Sequence, residues 1–221
     1  MSPSSPLLLQ DRAAAGRRLV EPLRQYAHRP DVIVLALPRG GVPVAYEVAM
    51  ALEVRLDLML VRKLGAPSNE EFALGAIASG GIQILNDHAL RAHPIDQATF
   101  DAVVARENRE LLRREQAYRG TREPVPLKDQ VVILIDDGLA TGASMMAAIQ
   151  AVRLQAPSRI VVAVPVAPIE TVEALRSEVD ELICPVVPDW FMSLGHWYMD
   201  FSQTSDAEVI KLLQRAWQRE A

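Results

Sequence analysis

The sequence predicts an α/β fold: a Rossmann-like, largely parallel sheet flanked by helices, with a small C-terminal hood. Three observations predict it. Short, continuous apolar runs alternate with longer stretches of helical periodicity, which is typical of βαβ units. The runs lack the alternation of half-exposed strands, as expected for strands buried on both faces. Two of them end in glycine turns, at residues 38–41 and 136–138, and open parallel sheets bind ligands at such strand ends.

The N-terminal half is predicted to begin with a helix over residues 11–28, in which Pro22 is a flaw. A strand at 32–37, a helix at 44–52 and a strand at 56–61 follow. Residues 64–81 are rich in glycine and small side chains, and we expect a loop with a weak strand there, followed by a strand at 82–85. A long polar helix is expected over residues 95–118, because its apolar residues recur at helical spacing and a glycine follows it.

The C-terminal half contains the clearest strand, residues 131–135, all of which are aliphatic. We expect a helix at 144–154, a strand at 160–166, a helix at 170–177 and a strand at 181–187. In this interpretation residues 1–221 form a single domain. Its core covers about residues 30–187, and its hood comprises about residues 188–221 together with the N-terminal helix.

Composition and charge argue against several classes of protein. The formal net charge of −5 gives no excess of cationic surface, so we expect no nucleic-acid partner. The single cysteine, Cys184, excludes an internal disulfide framework, and its apolar neighbours indicate a buried thiol. No apolar stretch approaches the roughly 18 residues of a membrane span, and the N-terminal apolar run is too short for a signal peptide. We therefore expect a cytoplasmic protein without a membrane partner.

The segment 131–144, VVILIDDGLATGAS, is the part of the chain that indicates chemistry. A buried strand delivers Asp136 and Asp137 to its carboxyl end, and a turn at Gly138 leads into the start of a helix. Unpaired N–H groups and the helix dipole at such a start favour a phosphate. The two carboxylates can accept hydrogen bonds from hydroxyl groups or hold Mg²⁺ through water. One short segment can therefore bind a phosphate and an adjacent diol, which describes a phosphorylated sugar.

The stretch DDGLATGAS resembles the ribose-phosphate binding motif of the type I phosphoribosyltransferase family. The resemblance implies that the chain binds 5-phosphoribosyl 1-pyrophosphate (PRPP), with Asp136 and Asp137 on the ribose hydroxyls. It implies Mg²⁺ as the cofactor, held by the same two aspartates through water. The 5′-phosphate would lie in the loop formed by Ala140, Thr141, Gly142, Ala143 and Ser144, and Gly138 of the preceding turn is also expected among the residues that bind PRPP. The alternative is a generic strand–turn–helix unit with a capping hydroxyl.

Two earlier segments also resemble the family. The stretch LALPRGG at 35–41 is similar to the pyrophosphate loop, which implies that Arg39 supplies charge while Gly40 and Gly41 allow close approach. Arg62 and Lys63 end the next predicted strand, where family members often carry a basic residue that faces pyrophosphate. A solvated strand end is the alternative for this pair. The catalytic residues that the resemblance implies are Arg39, Lys63, Asp136 and Asp137.

Two longer stretches, LVRKLGAPSNEEFALGAIASGG and GHWYMDFSQ, are similar to a bacterial branch of the same family. The sequence departs from the family at two points. Ala140 stands where members that use 6-oxopurines carry an acid, so hypoxanthine and guanine are less suitable acceptors. The segment 66–81, expected as a lid, contains Glu70 and Glu71 but no lysine or arginine. Either this lid works differently, or Arg113, Arg114 and Arg119 of the long helix supply the positive charge, from the same or a second subunit. The alternative for these three arginines is a solvated helix face.

All three tryptophans lie at or beyond residue 190. Because a variable hood selects the acceptor in the family, the resemblance implies that Trp190 and Phe191 contact it, and aromatic stacking suits a flat heterocycle. Capping of the core or a dimer interface is the alternative for these aromatic residues.

The function that the resemblance implies is transfer of the phosphoribosyl group from PRPP to a nitrogenous, nucleobase-like acceptor, with release of pyrophosphate. The implied partners are PRPP, a small-molecule acceptor and a second copy of the chain in a homodimer. Two other functions fit the same pocket: a non-catalytic PRPP-binding regulator, and hydrolysis of a phosphoribosylated metabolite. Formation of a product from an acceptor separates the transferase from both.

Overall fold

The computed structural model describes residues 8–66, 69–92 and 95–220, with side-chain surroundings for all of these except 69–72 and 87. Its strands, in chain order, are β1 (Val32–Ala36), β2 (Arg55–Leu58), β3 (Val61–Ala66), β4 (Asn69–Ala78), β5 (Ile82–Leu85), β6 (Val131–Ile135), β7 (Arg159–Ala163) and β8 (Glu181–Ile183). Five of them form a parallel sheet in the order β2-β1-β6-β7-β8, and β3, β4 and β5 form a separate antiparallel sheet. The predicted fold class, a parallel sheet flanked by helices, is confirmed.

The helices are α1 (Arg12–Val20), α2 (Gly41–Leu52), α3 (Asp87–Ala92), α4 (Gln97–Arg119), α5 (Ala143–Arg153), α6 (Ile169–Arg176) and α7 (Asp206–Trp217). Polar side chains begin three of them by accepting a backbone N–H of the first turn: Asp11 for α1, Asp96 for α4 and Ser205 for α7. Among the helices that the structure describes, none has the length and apolar character needed to cross a membrane.

The central strands β1 and β6 are buried along their whole length, and their side chains alternate between two cores. Val34 and Ile133 belong to the core that includes residues of α1, α2 and α7, whereas Ile33 and Val132 belong to the core on the side of α5 and α6. Burial on both faces explains why these strands are continuous apolar runs. Because Ala36 pairs with Ile135 at the end of the register, the loops that follow the two strands start side by side.

Two predicted elements in the N-terminal half differ from the observed elements by more than a few residues or by a division of the strand. The helix predicted over residues 11–28 ends at Val20, two residues before Pro22, and a short 3₁₀ turn follows at Arg24–Tyr26; a proline within a helix removes a hydrogen bond. The strand predicted over residues 56–61 divides, because the chain leaves the parallel sheet after β2 and enters the second sheet at β3.

The prediction of a loop with a weak strand over residues 64–81 is wrong, since β3 and β4 form an antiparallel hairpin that continues into β5. Its glycines and alanines suggested a loop, yet Gly75 allows close packing of two strand backbones. A Cβ atom on Gly75 would lie 2.3 Å from the carbonyl oxygen of Ile84 on the neighbouring strand, a distance only glycine permits. Leu64, Leu74 and Ile77 of this sheet are buried.

Helix α7 was not predicted, although Val209, Leu213 and Ala216 lie on one face and are buried. The glycine-free stretch around α7 has helical periodicity. The C-terminal residues were interpreted only as a hood, and this interpretation did not include a helix.

A buried ion pair fixes the long helix α4 to the parallel sheet. Arg119, the last residue of α4, lies 2.7 Å from Asp57 of β2, and the two side chains are 4% and 2% exposed. The Arg119 guanidinium also donates to the carbonyl oxygen of Leu58, and Asp57 accepts the backbone N–H of Val125. Buried charges are tolerated when they are paired and hydrogen-bonded in this way.

Replacing Asp57 by alanine should lower the free energy of unfolding by about 3–5 kcal/mol, because the Arg119 charge would remain buried without its partner. Urea unfolding followed by circular dichroism measures this loss. Asp31→Ala, which removes the carboxylate of the exposed Arg29–Asp31 pair, is the matched control and should leave the unfolding midpoint nearly unchanged. Equal effects of the two substitutions would contradict a structural role for the buried pair.

Candidate active site

The site lies where the loops after β1 and β6 meet at the carboxyl edge of the parallel sheet. The backbone N–H of Leu37 donates to the carbonyl oxygen of Ile135 at 2.9 Å, and the peptide bond between Pro38 and Arg39 is cis. A Cβ atom on Gly40 would lie 2.0 Å from Oδ2 of Asp137. Glycine at position 40 is therefore a steric requirement of the contact between the two loops.

The adjacent carboxyl groups of Asp136 and Asp137 have different surroundings. Burial, and secondarily the neighbouring charge of Asp137, raises the pKa of Asp136 well above the usual range of a carboxyl group. Oδ1 of Asp136 accepts the backbone N–H of Asp137 at 2.8 Å. Two close carboxylates do not both ionise readily in a low-dielectric site, so Asp136 retains a proton to higher pH and can donate a hydrogen bond as well as accept one.

Asp137 is held by residues from both ends of the chain. The Arg12 guanidinium donates from Nε to Oδ2 of Asp137 at 2.7 Å, and the Tyr198 hydroxyl donates to the Asp137 carbonyl oxygen at 2.5 Å. Burial, followed by the charge of Asp137, raises the pKa of Tyr198, so this hydroxyl stays protonated. Sequence reasoning missed Arg12 and Tyr198, which are separated from Asp137 by 125 and 61 positions. The only signal was the stretch GHWYMDFSQ, and it carried no indication of this contact.

The loop from Gly138 to Ser144 is hydrogen-bonded to α6 and has two exposed hydroxyl groups. Gly142 adopts the left-handed conformation, with a φ of 72°, immediately before α5. The Thr171 hydroxyl donates to the Ala140 carbonyl oxygen at 2.6 Å, which ties the loop to α6. Thr141 and Ser144 are exposed at the start of α5. Exposed hydroxyls beside the unpaired N–H groups of a helix start suit an anion.

Beside the acid pair lies a cavity of about 90 Å³ whose polar wall comprises Arg62, Arg114, Asp136 and Ser144. Pro38 of the loop after β1 also lines it. The cavity thus joins parts of the chain that are far apart in sequence: the two loops, strand β3 and helix α4. Arg114 of α4, one of the arginines that the sequence offered as a source of charge, reaches this cavity from the same chain.

The two arginines of this cavity are oriented by glutamates of α4. Arg62 donates to Glu107, with its closest nitrogen 2.5 Å from the carboxylate, and Arg114 pairs with Glu110 at 2.8 Å. Burial acts to raise the pKa of Glu107, but its ion pairs with Arg62 and Arg106 outweigh this effect and lower it. Glu107 therefore remains charged and holds Arg62 at the cavity wall.

The other predicted cations, Arg39, Lys63, Arg113 and Arg119, are not among the described residues that line this cavity. The side chain of Arg39 lies 3.8 Å from Asp206 at the start of α7, and Asp206 also accepts the Tyr118 hydroxyl at 2.7 Å. Lys63 lines a different pocket, of about 480 Å³, between the β3–β5 sheet and α5, which also includes Ser144. The binding roles of Arg39 and Lys63 stay predictions. Arg113 is exposed and paired with Glu110, and Arg119 is part of the buried ion pair described above.

The aromatic residues predicted to contact an acceptor are not placed alike. Trp190 is 78% exposed, whereas Phe191 packs against the core beneath α1, α2 and α7. Leu194 and Tyr198 are the hood residues that reach the acid-pair loop: a Cβ atom on Gly138 would lie 2.3 Å from Cδ2 of Leu194. An acceptor role for Trp190 and Phe191 stays a prediction. Glu70 and Glu71 of the expected lid belong to the residues whose side chains the structure does not describe.

Comparison with known proteins assigns the chain to a family. The model of the phosphoribosyl transferase domain matches residues 8–201. The chain belongs to the phosphoribosyltransferase family. The resemblance seen in DDGLATGAS and LALPRGG is thereby confirmed at the level of the family, and the match includes Arg12 as well as Tyr198.

Among relatives, the chain is 43% identical over 209 residues to two Mycobacterium tuberculosis proteins named putative phosphoribosyl transferases: Rv0571c of strain H37Rv and MT0597 of strain CDC 1551. The alignment covers 95% of this phosphoribosyltransferase chain and 47% of each relative, so the chain spans about half the length of the curated relatives it matches.

Among solved structures, TT1426 from Thermus thermophilus is 44% identical and superposes with a TM-score of 0.83 over 94% of this chain and 98% of that chain. AQ2163 from Aquifex aeolicus shares only 12% identity, at a TM-score of 0.51 over 83% of this chain and 76% of that chain, and therefore shows similarity of fold alone.

The raised pKa of Asp136 has a consequence for stability. The folded chain binds the Asp136 proton more tightly than the unfolded chain does, so the stabilisation from this proton is fully present below the ordinary carboxyl pKa. It is lost as the pH rises through the raised pKa. Asp136→Asn mimics the protonated acid, so the variant should gain stability relative to wild type as the pH increases from about 4 to about 8.

Thermal unfolding across this pH range, without added divalent cations, measures the difference. Asp101→Asn, which removes an exposed carboxylate on α4, is the matched control. A stability difference between Asp136→Asn and wild type that is independent of pH would show that Asp136 ionises as readily in the folded chain as in the unfolded chain.

Proposed function

We propose that this chain binds PRPP together with Mg²⁺ and transfers the phosphoribosyl group to a nitrogenous, nucleobase-like acceptor, releasing pyrophosphate. Membership of the phosphoribosyltransferase family supports the general reaction. The observation that carries the finer proposal is the cavity beside the acid pair, which joins Asp136, Ser144, Arg62 and Arg114. A carboxyl group, a phosphate-type loop and two cations at one point match the chemical parts of PRPP.

The ribose and its 5′-phosphate are assigned to β6 and α5. The loop from Ala140 to Ser144 offers backbone N–H groups at a helix start and the exposed hydroxyls of Thr141 and Ser144, a combination that favours a phosphate monoester. Asp136 and Asp137 lie directly before this loop. Their carboxyl oxygens can accept hydrogen bonds from the neighbouring hydroxyls of a ribose.

The diphosphate is assigned to the cavity and to the loop after β1. Arg62 and Arg114 present guanidinium groups, whose planar donors suit phosphate oxygens. Gly40 and Gly41 allow the backbone of the loop after β1 to approach the ligand closely. Arg39 is paired with Asp206 over a distance of 3.8 Å, and an exposed pair of this length contributes little, so a diphosphate can draw Arg39 toward the cavity.

Mg²⁺ fits this site as an ion carried by its substrate. Within the described ranges, no group of three or more His, Cys, Asp or Glu side chains is arranged to hold a metal. Mg²⁺ in phosphate chemistry commonly takes one or two carboxylates, several waters and the phosphate oxygens themselves. Asp136 and Asp137 would hold it through water, and the ion would neutralise charge on the diphosphate.

In the proposed reaction, the bond between C1′ and the diphosphate oxygen breaks and its electron pair leaves with pyrophosphate. A lone pair of the acceptor nitrogen forms the new bond to C1′, with inversion, and a proton carried by that nitrogen is released to water. Arg62 and Arg114 stabilise the charge that accumulates on the leaving group, and the anchored phosphate loop fixes the ribose. Most of the acceleration then comes from positioning and electrostatics, and no covalent intermediate with the protein is needed.

The decisive experiment incubates the protein with PRPP, Mg²⁺ and a panel of nucleobases and related heterocycles while pyrophosphate release is measured. Release that depends on one acceptor supports the transferase and identifies its substrate, and an Asp136→Asn/Asp137→Asn double variant should abolish it. Binding of PRPP in calorimetry without release from any acceptor would favour a PRPP-binding regulator. Absence of PRPP binding would overturn the proposal.

Arg114→Gln should weaken binding of PRPP and of inorganic pyrophosphate by about ten- to one hundredfold, because a charged hydrogen bond to the diphosphate is lost. Isothermal titration calorimetry with Mg²⁺ measures both. Arg113→Gln is the matched control, since Arg113 precedes Arg114 on the same helix but is exposed and pairs with the same Glu110. Equal affinities in the two variants would contradict the assignment of the diphosphate to this cavity.

A further inference from the structure

We propose that Arg12 is a positioning residue for the ribose: it holds Asp137 in its binding orientation and ties the C-terminal hood to the acid pair. This inference rests on the proposed function, because it requires that Asp137 binds the ribose of PRPP. Among the described residues that line the cavity assigned to the diphosphate, Arg12 does not occur. It acts through Asp137.

The guanidinium of Arg12 has three contacts in different directions. Nε donates to Oδ2 of Asp137 at 2.7 Å, and a terminal nitrogen donates to the carbonyl oxygen of Ser202 at 2.6 Å. The group lies over the ring of Phe201, with 4.1 Å between the guanidinium carbon and the ring centroid. The side chains of Arg12 and Asp137 are only 13% and 11% exposed, so water screens their attraction weakly.

The surrounding backbone shows that this contact joins the two ends of the chain. The N–H of Leu9 donates to the carbonyl oxygen of Trp197, and the N–H of Met199 donates to the carbonyl oxygen of Leu9, both at 2.8 Å. The N–H of Asp200 then donates to the carbonyl oxygen of Gln10 at 2.9 Å. The segment before α1 and the hood segment thus run together beside the loop of the acid pair.

Asp137 has little freedom within this frame. Its Oδ2 lies so close to Gly40 that a Cβ atom there would be 2.0 Å away, and its carbonyl oxygen accepts the Tyr198 hydroxyl. Arg12 holds the Asp137 carboxylate in one orientation through its hydrogen bond to Oδ2. Its positive charge also offsets the negative charge of Asp137 beside Asp136. Arg12 donates to the carboxylate and to the hood carbonyl of Ser202 from two separate nitrogens of its planar fork, whereas a lysine would have to reach both acceptors from a single nitrogen.

The experiment compares ligands that separate the two halves of PRPP. Arg12→Gln should weaken binding of ribose 5-phosphate and of PRPP by about ten- to one hundredfold, the loss expected for one charged hydrogen bond. Binding of inorganic pyrophosphate should be unchanged, because Arg12 does not line the diphosphate cavity. Arg114→Gln should show the opposite pattern, with pyrophosphate binding weakened and ribose 5-phosphate binding retained.

Two further variants keep the test decisive. Arg12→Lys retains the charge but not the fork, and it should restore less than half of the lost binding free energy if positioning matters. Arg18→Gln, on the exposed face of the same helix α1, controls for loss of an arginine and should bind all ligands like wild type. Thermal unfolding and circular dichroism confirm that each variant is folded at the temperature of the titration.

The outcomes separate this inference from the proposed function. If wild type binds ribose 5-phosphate and Arg12→Gln binds it equally well, or if Arg12→Gln weakens pyrophosphate to the same degree, the positioning role is overturned while PRPP binding stands. If Arg12→Lys binds like wild type, charge alone is required and the fork is overturned. If wild type binds neither PRPP nor ribose 5-phosphate, the proposed function itself fails.

Discussion

The parallel pairing of β1 with β6 is the constraint on which the site depends. Their register, in which Ala36 faces Ile135, brings the loop after each strand to the same point of the sheet edge. The contact is so close that Gly40 has no room for a side chain beside Asp137. Both strands are buried on both faces, so a shift of this register would displace two cores at once. The rigid pairing of the two strands thus fixes the positions of the two loops at the site.

The electrostatic arrangement around the acid pair is asymmetric. Asp137 forms an ion pair with Arg12 of the N-terminal helix. Asp136, by contrast, lines a cavity together with Arg62 and Arg114. The pKa of Asp136 is raised by burial and then by the charge of Asp137, because two close carboxylates do not both ionise readily. Two adjacent residues of one strand end therefore have separate tasks: one joins the hood to the loop, and the other borders the cavity.

Helix α4 is anchored at its end and lines the cavity with Arg114. The buried pair of Arg119 with Asp57 fixes the last turn of α4 against β2. Arg114 lies between one and two turns earlier on the same helix, and its position at the cavity is therefore set by that anchor. The hairpin of β3 and β4 packs against α4 as well, and the pairing of Arg62 with Glu107 links them. The buried ion pair and part of the cavity wall thus belong to the same helix.

Local pattern in the sequence determined the parallel strands, the acid pair and the loop that follows it. Each of these depends on neighbours within about a dozen residues, as in the buried strand that leads into Asp136 and Asp137. The family followed from the same short stretches. The hairpin at β3 and β4 was missed because its small residues are required by contact between strands, as at Gly75, and a single sequence does not contain that requirement.

Only the tertiary structure decided which side chains surround the acid pair. Arg12, Tyr198 and Arg114 come from the N-terminal helix, the hood and the long helix, and no spacing in the sequence relates them to Asp136 or Asp137. The sequence offered Arg113, Arg114 and Arg119 together as sources of charge. In the structure, Arg113 forms an exposed ion pair, Arg114 lines the cavity and Arg119 forms a buried ion pair. The physical reason is that propensity and periodicity act along the chain, whereas charge pairing and burial act through space and are fixed only when the elements pack.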